Sequence, residues 1–157
     1  AFSLQENVAL GLPQDKAKVE SALRRVGFGD RLDRLKNGVD TAVYKNFDAE
    51  GFEPSGGESQ KIAMARALYK NAPVFVLDEP TAALDPRAEF EIYQHFNELV
   101  EGKTTIYISH RLSSTKFCDK IAVFDHGHIV EYGTHDELMK KKGKYAELFK
   151  MQAQFYI

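Results

Sequence analysis

A single cysteine, Cys118, occurs in the 157 residues. It excludes an internal disulfide framework and fits a reducing compartment. Long apolar runs are missing too. No stretch approaches the roughly 18 residues that a membrane-spanning helix needs, and Ala1-Phe2-Ser3 begins no secretory signal. Excess charge of either sign is absent, since 21 Lys and Arg face 23 Asp and Glu for a formal net charge of -2. That balance carries no electrostatic footprint for nucleic acid or an anionic membrane. Ala1 is not an initiator Met, as expected of a piece of a longer protein. What is present is 43% hydrophobic and 28% charged, which predicts a packed core rather than intrinsic disorder. By composition the chain reads as one soluble cytoplasmic domain of unstated chemistry.

The first half of the chain reads as mainly helical. Asp15 is placed to cap a helix over Gln14 to Val26, with Ala17, Ala22, Leu23 and Val26 as its apolar positions and Gly27 as its end. Asn37 to Glu53 is polar, glycine-bearing and irregular. A second helix is expected over Glu58 to Lys70, with Ile62, Ala65 and Leu68 on one face and Pro73 beyond it. From there strand and helix alternate. Val74-Phe75-Val76-Leu77 is an uninterrupted apolar run, the mark of a strand buried on both faces. Asp85-Pro86 opens a helix to about Glu101, closed by Gly102, and Thr104 to Ile108 is β-rich. This strand-helix-strand unit predicts a right-handed crossover in a parallel sheet. Ile121 to Phe124 and Ile129 to Tyr132 form a hairpin around Asp125-His126-Gly127-His128. Thr134 caps a further helix, and Lys144 to Gln154 forms the last.

Three places carry chemistry. Asp78-Glu79 follows the buried strand directly and precedes Pro80, at the strand end where open parallel sheets hold ligands. The first acid suits Mg²⁺ held mostly through water, and the second suits orienting or deprotonating an attacking water. His110 ends the next strand, where a neutral imidazole can meet a phosphate or that water. Ser55-Gly56-Gly57-Glu58 opens the second helix. Ser-x-x-Glu is a capping box, and two glycines inside it leave bare helix-start N–H groups for an anion. Gly102-Lys103-Thr104 imitates the end of a phosphate loop, but Asn97 stands where that loop needs its first glycine and the segment runs from helix to strand. His126, His128, His135 and Cys118 match no zinc spacing.

Taken in order, these segments resemble the nucleotide-binding domain of an ABC (ATP-binding cassette) transporter of exporter type. Pro54-Ser55-Gly56-Gly57-Glu58 resembles the signature motif, usually Leu-Ser-Gly-Gly-Gln, so Pro54 and Glu58 are departures. Val74 to Pro80 looks like the Walker B strand with its catalytic acid. Ala83-Leu84-Asp85 resembles the D-loop, and Ser109-His110-Arg111 the switch-histidine loop. The ending Gly133-Thr134-His135-Asp136-Glu137-Leu138 and the opening Phe2-Ser3-Leu4 are similar to exporter segments, the latter to the stretch just after the Q-loop. The family's Walker A loop and Q-loop Gln lie upstream of such an opening.

The resemblance implies an α/β, P-loop NTPase-like (RecA-like) parallel sheet core, incomplete, with the ABC helical subdomain: residues 1–70 mostly helical, residues 71–157 the core. It implies ATP and Mg²⁺ as cofactors, with Asp78 on the metal, Glu79 as general base and His110 on the γ-phosphate. Ser55, Gly56, Gly57 and Glu58 would serve ATP on a second nucleotide-binding domain in a head-to-tail dimer, and Asp85 would couple the two sites. A transmembrane domain is the other implied partner, nucleic acid is not one, and the place is the cytoplasmic face of the cell membrane. The isolated chain is expected to bind ATP weakly, to hydrolyse it negligibly, and to rearrange, oligomerise or be marginally stable without the Walker A strand. The alternatives are a non-transport ABC ATPase of DNA repair or chromosome maintenance, and a non-enzymatic module presenting its signature in trans.

Overall fold

The computed structural model describes every residue except 1, 47, 86, 88, 90, 91, 93–99, 101 and 155–157. The chain divides into two compact units, Ala1–Ile106 and Tyr107–Ile157.

In the first unit, helices α1 (Leu4–Ala9) and α2 (Lys16–Arg25) pack on α4 (Gly56–Lys70), and α3 (Gly29–Asp33) packs on α2. Each start has a local cause. Ser3 with Glu6 and Ser55 with Glu58 form reciprocal capping boxes, and the Asp15 carboxylate accepts the Lys18 N–H. Helix α4 ends where Asn71 turns left-handed, at a φ of 52°, two residues before Pro73. Leu4 and Val8 of α1, then Val19, Ala22, Leu23 and Val26, recur at helical spacing and face Ile62 and Ala65 in one core. Each fully buried Val or Leu there contributes about 1.5–3 kcal/mol. Ala17 is exposed, and Val19 takes the place in the stripe that the sequence reading assigned to it.

The segment expected to be irregular holds a 3₁₀ turn, Gly38–Asp40, and buries Val39, Val43 and Phe52 in the same core. It is fastened by backbone bonds from Leu4 to Thr41 and from Tyr44 to Phe52. Gly51 is needed there because a Cβ would come within 2.7 Å of the Tyr44 carbonyl oxygen.

Strands β1 (Val74–Asp78) and β2 (Thr104–Ile108) are neighbours in a two-stranded sheet. The Thr104 N–H donates to the Pro73 carbonyl, so both strands start from one end and run parallel. The expectation that β1 is buried on both faces is wrong. Phe75 is 5% exposed, but Val74 and Val76 are 49% and 62% exposed. An apolar run reports side-chain preference, whereas two-faced burial requires a covering layer on each side. Among the described residues only the Phe75 side has one. Of the helix expected over Asp85 to Glu101, Arg87, Glu89 and Ile92 are helical and most of the rest lies outside the described residues.

The second unit contains a 3₁₀ turn (Leu112–Phe117), the hairpin of β3 (Ile121–Asp125) and β4 (His128–Gly133), and helices α5 (His135–Lys141) and α6 (Lys144–Ala153). The hairpin closes through His126 and Gly127, both at positive φ (45° and 79°), which is the two-residue turn that matches strand twist. Val123 lies opposite Glu131 and Phe124 opposite Ile129, so the register shifts at Val130. Ile121, Leu138 and Tyr145 form the unit's core.

Candidate functional site

Ser55 begins α4 with extended backbone. Its Oγ accepts the Glu58 N–H at 3.2 Å, and its own N–H donates to Glu58 Oε2 at 2.8 Å. The N–H groups of Gly56 and Gly57 are among the helix-start donors for which α4 offers no acceptor. Ser55 and Gly56 are exposed. The charge of Glu58 does not face this opening alone: its Oε1 lies 3.1 Å from Arg31 Nε, and the Arg31 guanidinium sits 5.3 Å from the centre of the Phe52 ring. Gly57 has a packing role that the motif does not reveal. A Cβ there would lie 3.1 Å from the Ala83 carbonyl oxygen and 3.2 Å from Leu84 Cδ2.

The signature-like helix start and the segment after β1 therefore form one packed piece. Asp78 ends β1 and is exposed. Glu79, half-buried, has a φ of 45°, a left-handed conformation that carries about 1–3 kcal/mol of strain in a non-glycine residue and gathers at functional sites. The turn that follows is closed by Ala82 N–H to Glu79 C=O at 3.1 Å and Leu84 N–H to Thr81 C=O at 3.0 Å. Gln60, one turn into α4, grips both ends of it. Its Nε2 donates to the Glu79 carbonyl at 3.1 Å, and its Oε1 accepts the Ala83 N–H at 2.9 Å. Buried Thr81 donates to buried Glu89 at 3.0 Å beneath the turn. Asp85 is exposed, and its carboxylate accepts the Arg87 N–H at 3.0 Å as a helix cap.

Ser55, Gly56, Gly57, Glu58, Asp78, Glu79 and Asp85 thus belong to the first unit, with α4 packed on the 79–84 turn. His110 belongs to the second unit, where it is exposed on the loop after β2. Ser109 Oγ accepts the Arg111 N–H at 2.9 Å, and Ser114 Oγ donates to the Arg111 carbonyl at 2.6 Å. From α6, Gln152 Nε2 donates to the His110 carbonyl at 2.6 Å. Gln60 and Gln152 are the residues that sequence reasoning missed. A lone glutamine on a helix has no spacing signature, because both partners of its amide come from the tertiary fold.

A divalent metal has a modest foothold. No cluster of three or more His, Cys, Asp or Glu side chains fit to hold one occurs among the described residues. The single exposed carboxylate of Asp78 beside Glu79 suits Mg²⁺, which keeps much of its water and binds through one or two carboxylates and substrate phosphates. Gly102, at a φ of 70°, lies in a turn closed by Lys103 N–H to Val100 C=O just before β2, and the helix that it was expected to end lies mostly outside the described residues.

A family model described as ABC transporter matches residues 1–82. The ATP-dependent lipid A-core flippase of Burkholderia orbicola is 42% identical over 152 residues, which is 97% of this chain and 25% of that protein. The flippase of Chromohalobacter salexigens is 43% identical over 153 residues, 97% of this chain and 26% of that protein. The chain therefore spans about a quarter of the length of the curated relatives it matches. Among solved structures, that of a bacterial Atm1-family ABC exporter with ATP bound superposes with a TM-score of 0.85 at 37% identity, over 97% of this chain and 26% of that one. This likeness bears out the expected α/β, P-loop NTPase-like core, incomplete, with its helical subdomain.

Proposed function

The chain belongs to the ABC transporter family, and from that premise we propose that it is the C-terminal part of an exporter's ATPase domain, supplying ATP hydrolysis to transmembrane transport. The observation that carries this reading is the single packed piece made by Ser55–Glu58, Gln60 and the 79–84 turn, with Glu79 in a strained left-handed conformation at the end of a parallel strand. Glu79 is the general base, taking a proton from the water that attacks the γ-phosphate. Asp78 would hold Mg²⁺, which when bound neutralises charge on the phosphate oxygens. His110 contacts the γ-phosphate and orients the attacking water.

Ser55, Gly56 and Gly57 present a helix start to ATP held by a second nucleotide-binding domain, in a head-to-tail pair, with Asp85 coupling the two sites. The ion pair with Arg31 draws the added charge of Glu58 away from that opening, which supports a working signature despite the departure from Gln. The parent sits at the cytoplasmic face of a membrane beside its transmembrane domain. Relatives named as lipid A-core flippases make an amphipathic lipid the first substrate to assay. Because the 157 residues contain no G-x-x-x-x-G-K-[ST] loop, the isolated chain hydrolyses ATP negligibly.

The test is vanadate-trapped photocleavage in the intact transporter with MgATP, since irradiated vanadate in the γ-phosphate position cuts the backbone beside it. Cleavage within residues 55–57 is expected. Cleavage that spares this segment while cutting the ATP-holding loop refutes the placement of the signature.

A further inference from the structure

In the second unit, one face of α6 lies along the loop that carries His110. Tyr145, Phe149 and Gln152 stand at i, i+4 and i+7, one stripe of a helix. Tyr145 Oη is 2.7 Å from Thr115 Oγ1, Lys116 Nζ sits 5.0 Å from the centre of the Phe149 ring, and Gln152 reaches residues 110 and 112. The stripe thus meets the turn at three successive places.

We infer that Gln152 is a positioning residue for His110, setting the backbone from which that side chain reaches its substrate. Its Nε2 donates to the His110 carbonyl at 2.6 Å, and its Oε1 accepts the Leu112 N–H at 2.8 Å. The amide has one workable orientation, because a flip would oppose oxygen to oxygen and N–H to N–H. Both bonds flank Arg111, so they define the backbone between His110 and Leu112 from outside the loop.

A polarised chain behind the turn supports the same geometry. Thr115 Oγ1 donates to the Leu112 carbonyl at 2.7 Å, so it accepts from Tyr145 Oη, which in turn accepts from His135 Nδ1 at 2.8 Å. Leu112 is therefore held at its N–H by Gln152 and at its C=O by Thr115. Displacing a catalytic group by about 1 Å can lower turnover by on the order of a hundredfold, which is what a two-point clamp on its backbone prevents. The inference rests on the reading of His110 as the γ-phosphate contact.

The test uses the intact transporter. Gln152→Leu removes both bonds, and Gln152→Glu keeps the acceptor for Leu112 while setting an anionic oxygen against the His110 carbonyl. Glu147→Ala, on the exposed side of α6, is the control. Hydrogen exchange at Leu112 should rise roughly tenfold to a hundredfold in Gln152→Leu, as expected for the loss of two neutral hydrogen bonds, and by less in Gln152→Glu, which keeps the Leu112 acceptor. The kcat for ATP should fall by roughly tenfold with KM within twofold, and Glu147→Ala should change neither. Adding Gln152→Leu to His110→Ala should lower kcat no further, because a positioning residue acts through the group it positions.

Faster exchange with unchanged kcat overturns the inference, as does unchanged exchange, or a further loss in the double variant. If His110→Ala alone keeps full turnover, the assignment of His110 fails and the catalytic role of Gln152 falls with it. The exchange result still judges the clamp separately. Should Gln152→Leu fail to fold, Gln152→Glu carries the comparison of kcat, alone and in the His110→Ala background, through the lost bond to the His110 carbonyl.

Discussion

Helix α6 has Gly143 at its N-cap position, where no side chain can cap it, and the cap comes instead from β4. Glu131 is 7% exposed, and its Oε2 accepts the Tyr145 N–H at 2.8 Å, with Lys141 Nζ 3.7 Å from its other oxygen. A carboxylate at a helix start is favoured by the helix dipole as well as by the bond. The arrangement requires glycine at position 143, because a Cβ there would sit 1.8 Å from Glu131 Oε1 and 2.9 Å from its Cδ. Gly143→Ala must therefore push the carboxylate away by more than an ångström. That breaks a hydrogen bond to a charged acceptor worth about 1.5–3 kcal/mol, offset by the roughly 0.4–1 kcal/mol that Gly→Ala gives through the unfolded chain. The net loss should be about 1–2 kcal/mol. Glu131→Ala should lose about 2 kcal/mol on its own. In that background Gly143→Ala should be neutral or slightly stabilising, since nothing is left to collide with. The coupling across the cycle is thus about 2 kcal/mol, read as the local opening free energy from hydrogen exchange of the α6 amides. Additivity within about 0.5 kcal/mol would refute the account of this cap.

Two further outcomes follow from side chains in the same unit and at the helix starts. Tyr145→Phe removes the hydroxyl shared by Thr115 and His135 while keeping the ring, so it should destabilise α6 by about 1–2 kcal/mol, and a loss below about 0.3 kcal/mol in the same exchange measurement would contradict it. Glu137 is held below its ordinary value of 4.5 by the Thr134 backbone N–H first and then by Lys120, and Glu6 is held below it by the Ser3 backbone N–H. A carboxylate with a lowered folded value stabilises above the ordinary one and loses that contribution as pH falls through the lowered one. Both caps should therefore hold above pH 4.5 and weaken only as pH falls below it, and carboxyl titration by NMR with midpoints at or above 4.5 would contradict this.

Local signals were the readable part of this chain. The Ser55–Glu58 box, the Asp15 and Thr134 caps, the hairpin turn at His126-Gly127 and the limits of β2 all rest on residues a few positions apart, and all appear as expected. Helix α1 was missed although Ser3 and Glu6 carry the same box, because six residues are too few for a hydrophobic period to show. Burial of β1 was misjudged because coverage depends on neighbouring layers. The residues of the candidate site were legible as motif positions, but what fixes them was not. The grip of Gln60 on the Glu79 turn, the pairing of Glu58 with Arg31 and the close approach of Gly57 to Ala83 each join segments at least 19 residues apart. Sequence periodicity carries no information on such pairs. The Val39, Val43 and Phe52 anchors were hidden in a segment whose polar majority masked them.

The role proposed for Glu79, general base of an ATPase, is read from phosphate release from MgATP by the intact transporter carrying Glu79→Gln. The substitution keeps the size of the side chain and removes its ability to accept a proton. Turnover should fall by roughly a hundredfold or more, the scale of a lost general base, while ATP still binds. Turnover within twofold of the unaltered protein, with ATP bound equally well, would contradict the account.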